Sequence, residues 1–112
     1  MLGKAEISLM LDYYGSFLTE RQAALMRMSA DEDMSLSEIA EQVGISRQAV
    51  RDHLAKASRE LASLEERLGL AARDRELLRC ADRLEAALAD PSGEGLRRSA
   101  GEVCRVIRSL VK

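Results

Sequence analysis

The stretch Ser35-Leu36-Ser37-Glu38-Ile39-Ala40-Glu41-Gln42-Val43-Gly44-Ile45-Ser46-Arg47-Gln48-Ala49-Val50-Arg51-Asp52-His53-Leu54-Ala55-Lys56-Ala57 decides the fold. Ser35 followed three residues later by Glu38 is the pattern of a capping box, in which each side chain satisfies the other residue's amide. Ile39, Ala40 and Val43 make one apolar face of a short helix. Gly44 stands where a residue with positive φ closes a helix without a Cβ penalty. Ile45 fills the corner. Ser46 caps a second helix, whose Val50 and Leu54 lie four apart and point one way. Small Ala40 and Ala49 let the two helices cross closely. The result is a helix-turn-helix, against the alternative of a helical hairpin that only packs. Its second helix leaves Arg47, Gln48, Arg51 and Asp52 on the free face. Arg and Gln at the start of such a helix are the residue types that read guanine and adenine edges in a major groove.

C-terminal to this stretch the second helix has no stop signal. Leu54, Ala57, Leu61, Leu64 and Leu68 repeat at 3, 4, 3 and 4, a heptad seam that ends at Gly69. The recognition helix is therefore expected over about 46–68. A further helix from Ala71 carries Leu77, Ala81, Leu84 and Leu88. Asp90-Pro91-Ser92-Gly93-Glu94-Gly95 is the clearest turn in the chain. A last helix carries Leu96, Ala100, Val103, Ile107 and Leu110. Folding about Ser92 matches Leu88 with Leu96, Leu84 with Ala100, Ala81 with Val103 and Leu77 with Ile107, an antiparallel helical hairpin. The same symmetry makes Cys80 and Cys104 near neighbours. They read as a redox-sensitive clamp or, preferably, as two small buried apolar residues in a reducing compartment.

N-terminal to the motif, residues 4–16 form a first helix through Ile7, Met10, Leu11 and Tyr14, ended by Gly15. Thr19 opens a second helix with Gln22 at the capping-box position. Asp31-Glu32-Asp33 reads as a solvated loop, because three adjacent carboxylates lack the spacing and glycine of a calcium loop. The expected fold class is all-α. The domains are 1–68, with the helix-turn-helix, and 69–112, the hairpin extension.

The 112 residues contain 46% hydrophobic and 32% charged side chains, one Pro and 3% aromatics. That composition supports a helical core and a polar surface. No run approaches 18 apolar residues and no signal-peptide core opens the chain, so the expectation is a cytoplasmic protein with no membrane partner. Net charge is −2, which argues against indiscriminate coating of nucleic acid, but the charge is unevenly placed. Residues 1–34 carry three basic and six acidic groups. Residues 46–59 carry Arg47, Arg51, Lys56 and Arg59 against Asp52 alone, and residues 91–112 carry five basic groups against two acidic. A local positive field steers an anionic partner even when the total is negative. The candidate nucleic-acid-binding residues are Ser46, Arg47, Gln48, Arg51, Asp52, Lys56 and Arg59. In the last helix Arg98, Arg105 and Lys112 are seven apart, flanked by Arg97 and Arg108. They form either a solvated face or a stripe for RNA phosphate or an acidic protein. With no phosphate loop, nucleophile elbow or metal cluster, no enzymatic activity, cofactor or metal is expected. His53, the only histidine, reads as a packing residue.

Asp12-Tyr13-Tyr14-Gly15-Ser16-Phe17-Leu18-Thr19-Glu20-Arg21-Gln22, with Leu36-Ser37-Glu38-Ile39-Ala40-Glu41 and Ser46-Arg47-Gln48-Ala49-Val50-Arg51-Asp52, resembles the YlxM family of small bacterial proteins over residues 9–68. Beyond Gly69 only the helical character matches. The resemblance implies an all-α, sigma region 4-like helix-turn-helix, a dimer, and a regulatory role in the signal recognition particle pathway. It maps the promoter-reading face of sigma region 4 onto Arg47, Gln48, Arg51 and Asp52. Gln48 stands where sigma factors have an acidic residue and Asp52 where they have a neutral one. Arg51 stands where the family often has a tyrosine and adds a cation. Two functions stay open: a DNA-binding regulator, and a non-enzymatic adaptor binding the particle's RNA or protein. The heptad seam 54–68 and the other faces of the hairpin still need burial; part of that can be met within one chain, and an exposed seam in so small a chain adds the expectation of a homodimer.

Overall fold

The computed structural model describes residues 3–111, and all its regular elements are helices. They are α1 (Lys4–Tyr14), a 3-10 turn (Gly15–Phe17), α2 (Glu20–Ala30), α3 (Leu36–Val43), α4 (Arg47–Leu68), α5 (Leu70–Ala89) and α6 (Leu96–Leu110). The chain divides into two compact units, one ending at Gly69 and one beginning at Leu70.

In the first unit local rules set the helix ends. Thr19 and Gln22 exchange hydrogen bonds of 3.1 Å each way, and Ser35 and Glu38 exchange bonds of 3.2 and 3.1 Å. The first helix ends at Tyr14, the last residue of its apolar pattern. Gly15 keeps a helical φ of −56°, so the chain tightens into the 3-10 turn instead of breaking. Lys4 pairs with Asp33, Ser8 donates to Asp31 at 2.6 Å, and Arg27 lies 3.4 Å from Asp31. The acidic loop is thus tied to α1 and α2. The Lys4 ammonium holds the Asp33 carboxyl below its usual range.

Packing brings α1, α2 and α3 onto α4. Leu25, Ile39, Ala40 and Val50 form one buried cluster, with Met28, Met34, Leu36, Val43, Ile45 and Leu54 against it. Further along α4, Ala57, Leu61 and Leu64 are buried, as are Met10, Leu11 and Tyr14 of α1. The Tyr14 hydroxyl donates to Glu65 Oε1 at 2.5 Å, fixing α1 against α4. This selects between the two ways of covering the heptad seam. Its central residues are covered within a single chain, and only Leu68, 52% exposed, remains open. The seam therefore supplies the core of this unit and gives no reason for a partner copy there.

The second unit is the antiparallel pair α5–α6. Its turn is held by the Asp90 carboxylate, which accepts from the Ser92 amide (3.0 Å) and hydroxyl (2.9 Å), while the Ser92 hydroxyl accepts from the Glu94 amide at 3.1 Å. Arg83 and Glu102 lie 3.7 Å apart across the pair. The inward face differs from the expected one by one residue. Cys80 and Ser99 are buried, whereas Ala81, Leu88, Ala100 and Ile107 are exposed. The apolar stripes are wider than one contact line, and the smaller Cys80 and Ser99 side chains take the inside. Cys104 is exposed, so the two cysteines occupy different environments, and both are free thiols.

The buried Ser99 hydroxyl has no hydrogen-bond partner. An unsatisfied buried hydroxyl costs about 1–3 kcal/mol, and alanine is the better helix former. Ser99→Ala is expected to raise the unfolding free energy by about 1 kcal/mol, read as a higher midpoint in urea titration at unchanged slope.

Candidate nucleic-acid interface

The turn between α3 and α4 is built by three successive residues. Gly44 adopts φ +79°, and the Gly44 and Ile45 amides both donate to the Ala40 carbonyl, at 2.9 and 3.2 Å. Ile45 then packs on the cluster around Ile39 and Val50. The Ser46 hydroxyl accepts from the Ala49 amide at 3.0 Å and starts α4. Arg47 is consequently the first helical residue, held by a cap and a filled corner.

From there α4 presents its polar side outward. Ser46, Arg47, Gln48, Arg51, Asp52, Lys56 and Arg59 are all exposed, while Val50 and Ala57 are buried. At ~1.5 Å of rise per residue the seven span about 20 Å of helix. The structure thus brings together the whole sequence-selected set on this helix. A backbone dipole directed along α4 adds positive potential at the Ser46 end.

Gln48 and Asp52 are not independent. Gln48 Nε2 donates to Asp52 Oδ1 at 2.9 Å. Asp52 thereby has one oxygen engaged, and Gln48 retains its carbonyl and one amide proton for another partner. That leaves one acceptor and one donor, the set an adenine edge requires. The pair lies four residues apart, a spacing that sequence reading could have linked.

A groove of about 370 Å³ opens beside this face, lined by Thr19, Gln22, Ala49, Asp52, His53 and Lys56. It joins the start of α2 to α4. Sequence reading took Thr19 only as a cap and His53 only as packing. Their approach to Lys56 comes from the packing of α2 on α4 and has no local signal. On α6, in the other unit, Arg97, Arg98, Arg105 and Arg108 are exposed. Lys112, read as the last member of that stripe, lies outside the described residues.

The residue pattern of the UPF0122 family, described as "Putative helix-turn-helix protein, YlxM / p13 like", matches residues 3–94. The chain belongs to the UPF0122 family. The match extends the sequence resemblance past Gly69, through α5 and into the turn. A UPF0122 protein of Desulforamulus reducens is 39% identical over 106 residues, covering 91% of each chain. One from Symbiobacterium thermophilum is 45% identical over 82 residues, covering 73% of this chain and 77% of its own. One from Clostridium perfringens is 41% identical over 88 residues, covering 79% of each. Among the described residues of this UPF0122 chain, no helix is long and apolar enough to cross a membrane.

Proposed function

We propose that this UPF0122 chain is a DNA-binding regulatory protein that acts in the cytoplasm without catalysing a reaction. The observation that carries the reading is the outward set Ser46–Arg59 on a helix that starts from a capped, glycine-closed turn. The unit ending at Gly69 is the nucleic-acid-binding domain and the hairpin is its extension. The start of α4 enters the major groove. Arg47 donates to a guanine edge, and Gln48, steadied by Asp52, meets an adenine. Arg51, Lys56 and Arg59 contact phosphates and fix the register. The groove beside Thr19 and His53 gives a backbone phosphate a place next to Lys56.

The resemblance to YlxM proteins supports a regulated gene or partner within the signal recognition particle pathway. A second reading, an adaptor for that particle's RNA or protein, is supported by the four exposed arginines of α6.

Binding of the full chain to duplex DNA from its own operon region and to signal recognition particle RNA, across a salt series, separates the two. The first reading expects selective duplex binding over random sequence. Lys56→Ala then weakens all duplexes alike and lowers the salt slope by about 1. Saturable RNA binding that is lost in Arg98→Glu/Arg105→Glu, with no preference among duplexes, favours the adaptor and overturns the first reading.

A further inference from the structure

The four α-helices of the unit ending at Gly69 leave an apolar pocket between them. It holds about 340 Å³ and is more enclosed than the groove beside Thr19. That volume lies at the low end of the range for small-molecule sites. Met26 of α2 lines it from the buried side, and Ile7 of α1, Leu36 of α3 and Leu54 of α4 are half-buried walls. The wall from α1 is fixed in place. Lys4 pairs with Asp33 and Ser8 donates to Asp31, so the turn of helix that carries Ile7 is tied to the loop after α2. Side-chain size keeps the space open. On α4 the lining comes from positions 51, 54, 55 and 58, one face of the helix, and Ala55 and Ser58 are too short to fill the gap.

The charge of the pocket is one-sided. Arg51 lines it and is exposed, so the guanidinium stands at the mouth. Among the described residues, no acid lines the pocket and Arg51 makes no ion pair. The groove beside Thr19 differs, because there Asp52 offsets Lys56. An apolar interior with a few fixed polar groups is the usual make-up of a small-molecule site. A guanidinium is a forked donor that matches a carboxylate. The chemistry that satisfies both parts is a small acid with an apolar tail.

We propose that this pocket binds a small amphipathic carboxylate, its carboxylate on Arg51 and its tail against Met26, Leu36 and Leu54, and that the bound ligand releases DNA. Burial of the tail drives the binding, and the charge-assisted bond to Arg51 selects an acid over a neutral analogue. The carboxylate then occupies the guanidinium that otherwise meets a phosphate. Ligand and duplex compete for one side chain, so each weakens the other by the same factor. The ligand site stands on its lining alone. Its effect on DNA rests on the phosphate-binding role proposed for Arg51.

Calorimetric titration of the full chain with octanoate, with octanol and acetate as controls, tests the site. Octanoate is expected to saturate at one per chain, octanol to bind roughly tenfold more weakly, and acetate, which has no tail, to give no saturable heat. Arg51→Gln is expected to weaken octanoate roughly tenfold and to leave octanol unchanged. Ala55→Leu, which fills the pocket, is expected to abolish both, with circular dichroism as the check on folding. Arg51 is exposed, so its variant holds the test should Ala55→Leu unfold. Octanoate that does not saturate, binds no better than octanol, or binds Arg51→Gln equally well overturns the site. Anisotropy of a labelled duplex then tests the coupling. Saturating octanoate is expected to raise the duplex dissociation constant at least about fivefold. An unchanged constant with octanoate bound overturns the release of DNA. A chain that binds octanoate as expected but no duplex overturns the DNA-binding function, and the release with it, and leaves the ligand site supported.

Discussion

Truncating Leu61 to alanine lowers the unfolding free energy by about 2–5 kcal/mol. Leu61 is fully buried on α4, in the unit where α1 and α2 pack along that helix. Removing its isobutyl group takes away apolar contact and leaves a hole that rigid helices fill only in part. A small domain has about 5–15 kcal/mol of stability in total, so this single change consumes a large share of it. Urea unfolding followed by circular dichroism measures the loss. Leu68→Ala, at a position 52% exposed on the same helix, is the control and is expected to cost less than about 1 kcal/mol. Because Leu61 is covered within one chain, its cost is independent of protein concentration. A cost that shrinks on dilution would put the seam back at an interface between chains.

Arg47→Ala lowers affinity for the preferred duplex by about 1–3 kcal/mol, roughly 5- to 150-fold, and relaxes sequence preference at the base it reads. Arg47 is exposed and opens α4, so its removal leaves the core untouched. Competition between preferred and random duplex at fixed salt separates this from a phosphate contact. A base-reading Arg47 changes the ratio of the two affinities, and a phosphate-binding one changes both alike. An unaltered ratio would remove Arg47 from the base-reading role.

Features of this fold encoded within four residues were legible in the sequence. The Ser35–Glu38 and Thr19–Gln22 capping boxes, the Ser46 cap, positive φ at Gly44, the helix end at Gly69, and the turn between α5 and α6 all follow from local stereochemistry. So does the outward placement of Arg47, Gln48, Arg51 and Asp52, which needs only the 3.6-residue period. What was not legible depends on partners far along the chain. Periodicity marked Ala57, Leu61 and Leu64 as a seam but could not say that its cover lay in the same chain. Nor could it choose between Cys80 and Ala81, or between Ser99 and Ala100, since both members of each pair border the same stripe. The groove shared by Thr19, His53 and Lys56 likewise arises from helices that meet only after folding.

The hydrogen bond from Tyr14 to Glu65 spans 51 positions. The α3–turn–α4 corner, by contrast, joins residues a few positions apart, so it closes with little loss of chain entropy. Topologies dominated by such short closures fold fast. The order of assembly follows: the corner and its caps form early, and docking of α1 onto the far half of α4 is the late step. The same order governs nascent chains during synthesis. α1 emerges before α4, and the Tyr14 hydroxyl meets the Glu65 carboxylate only once residue 65 has been made.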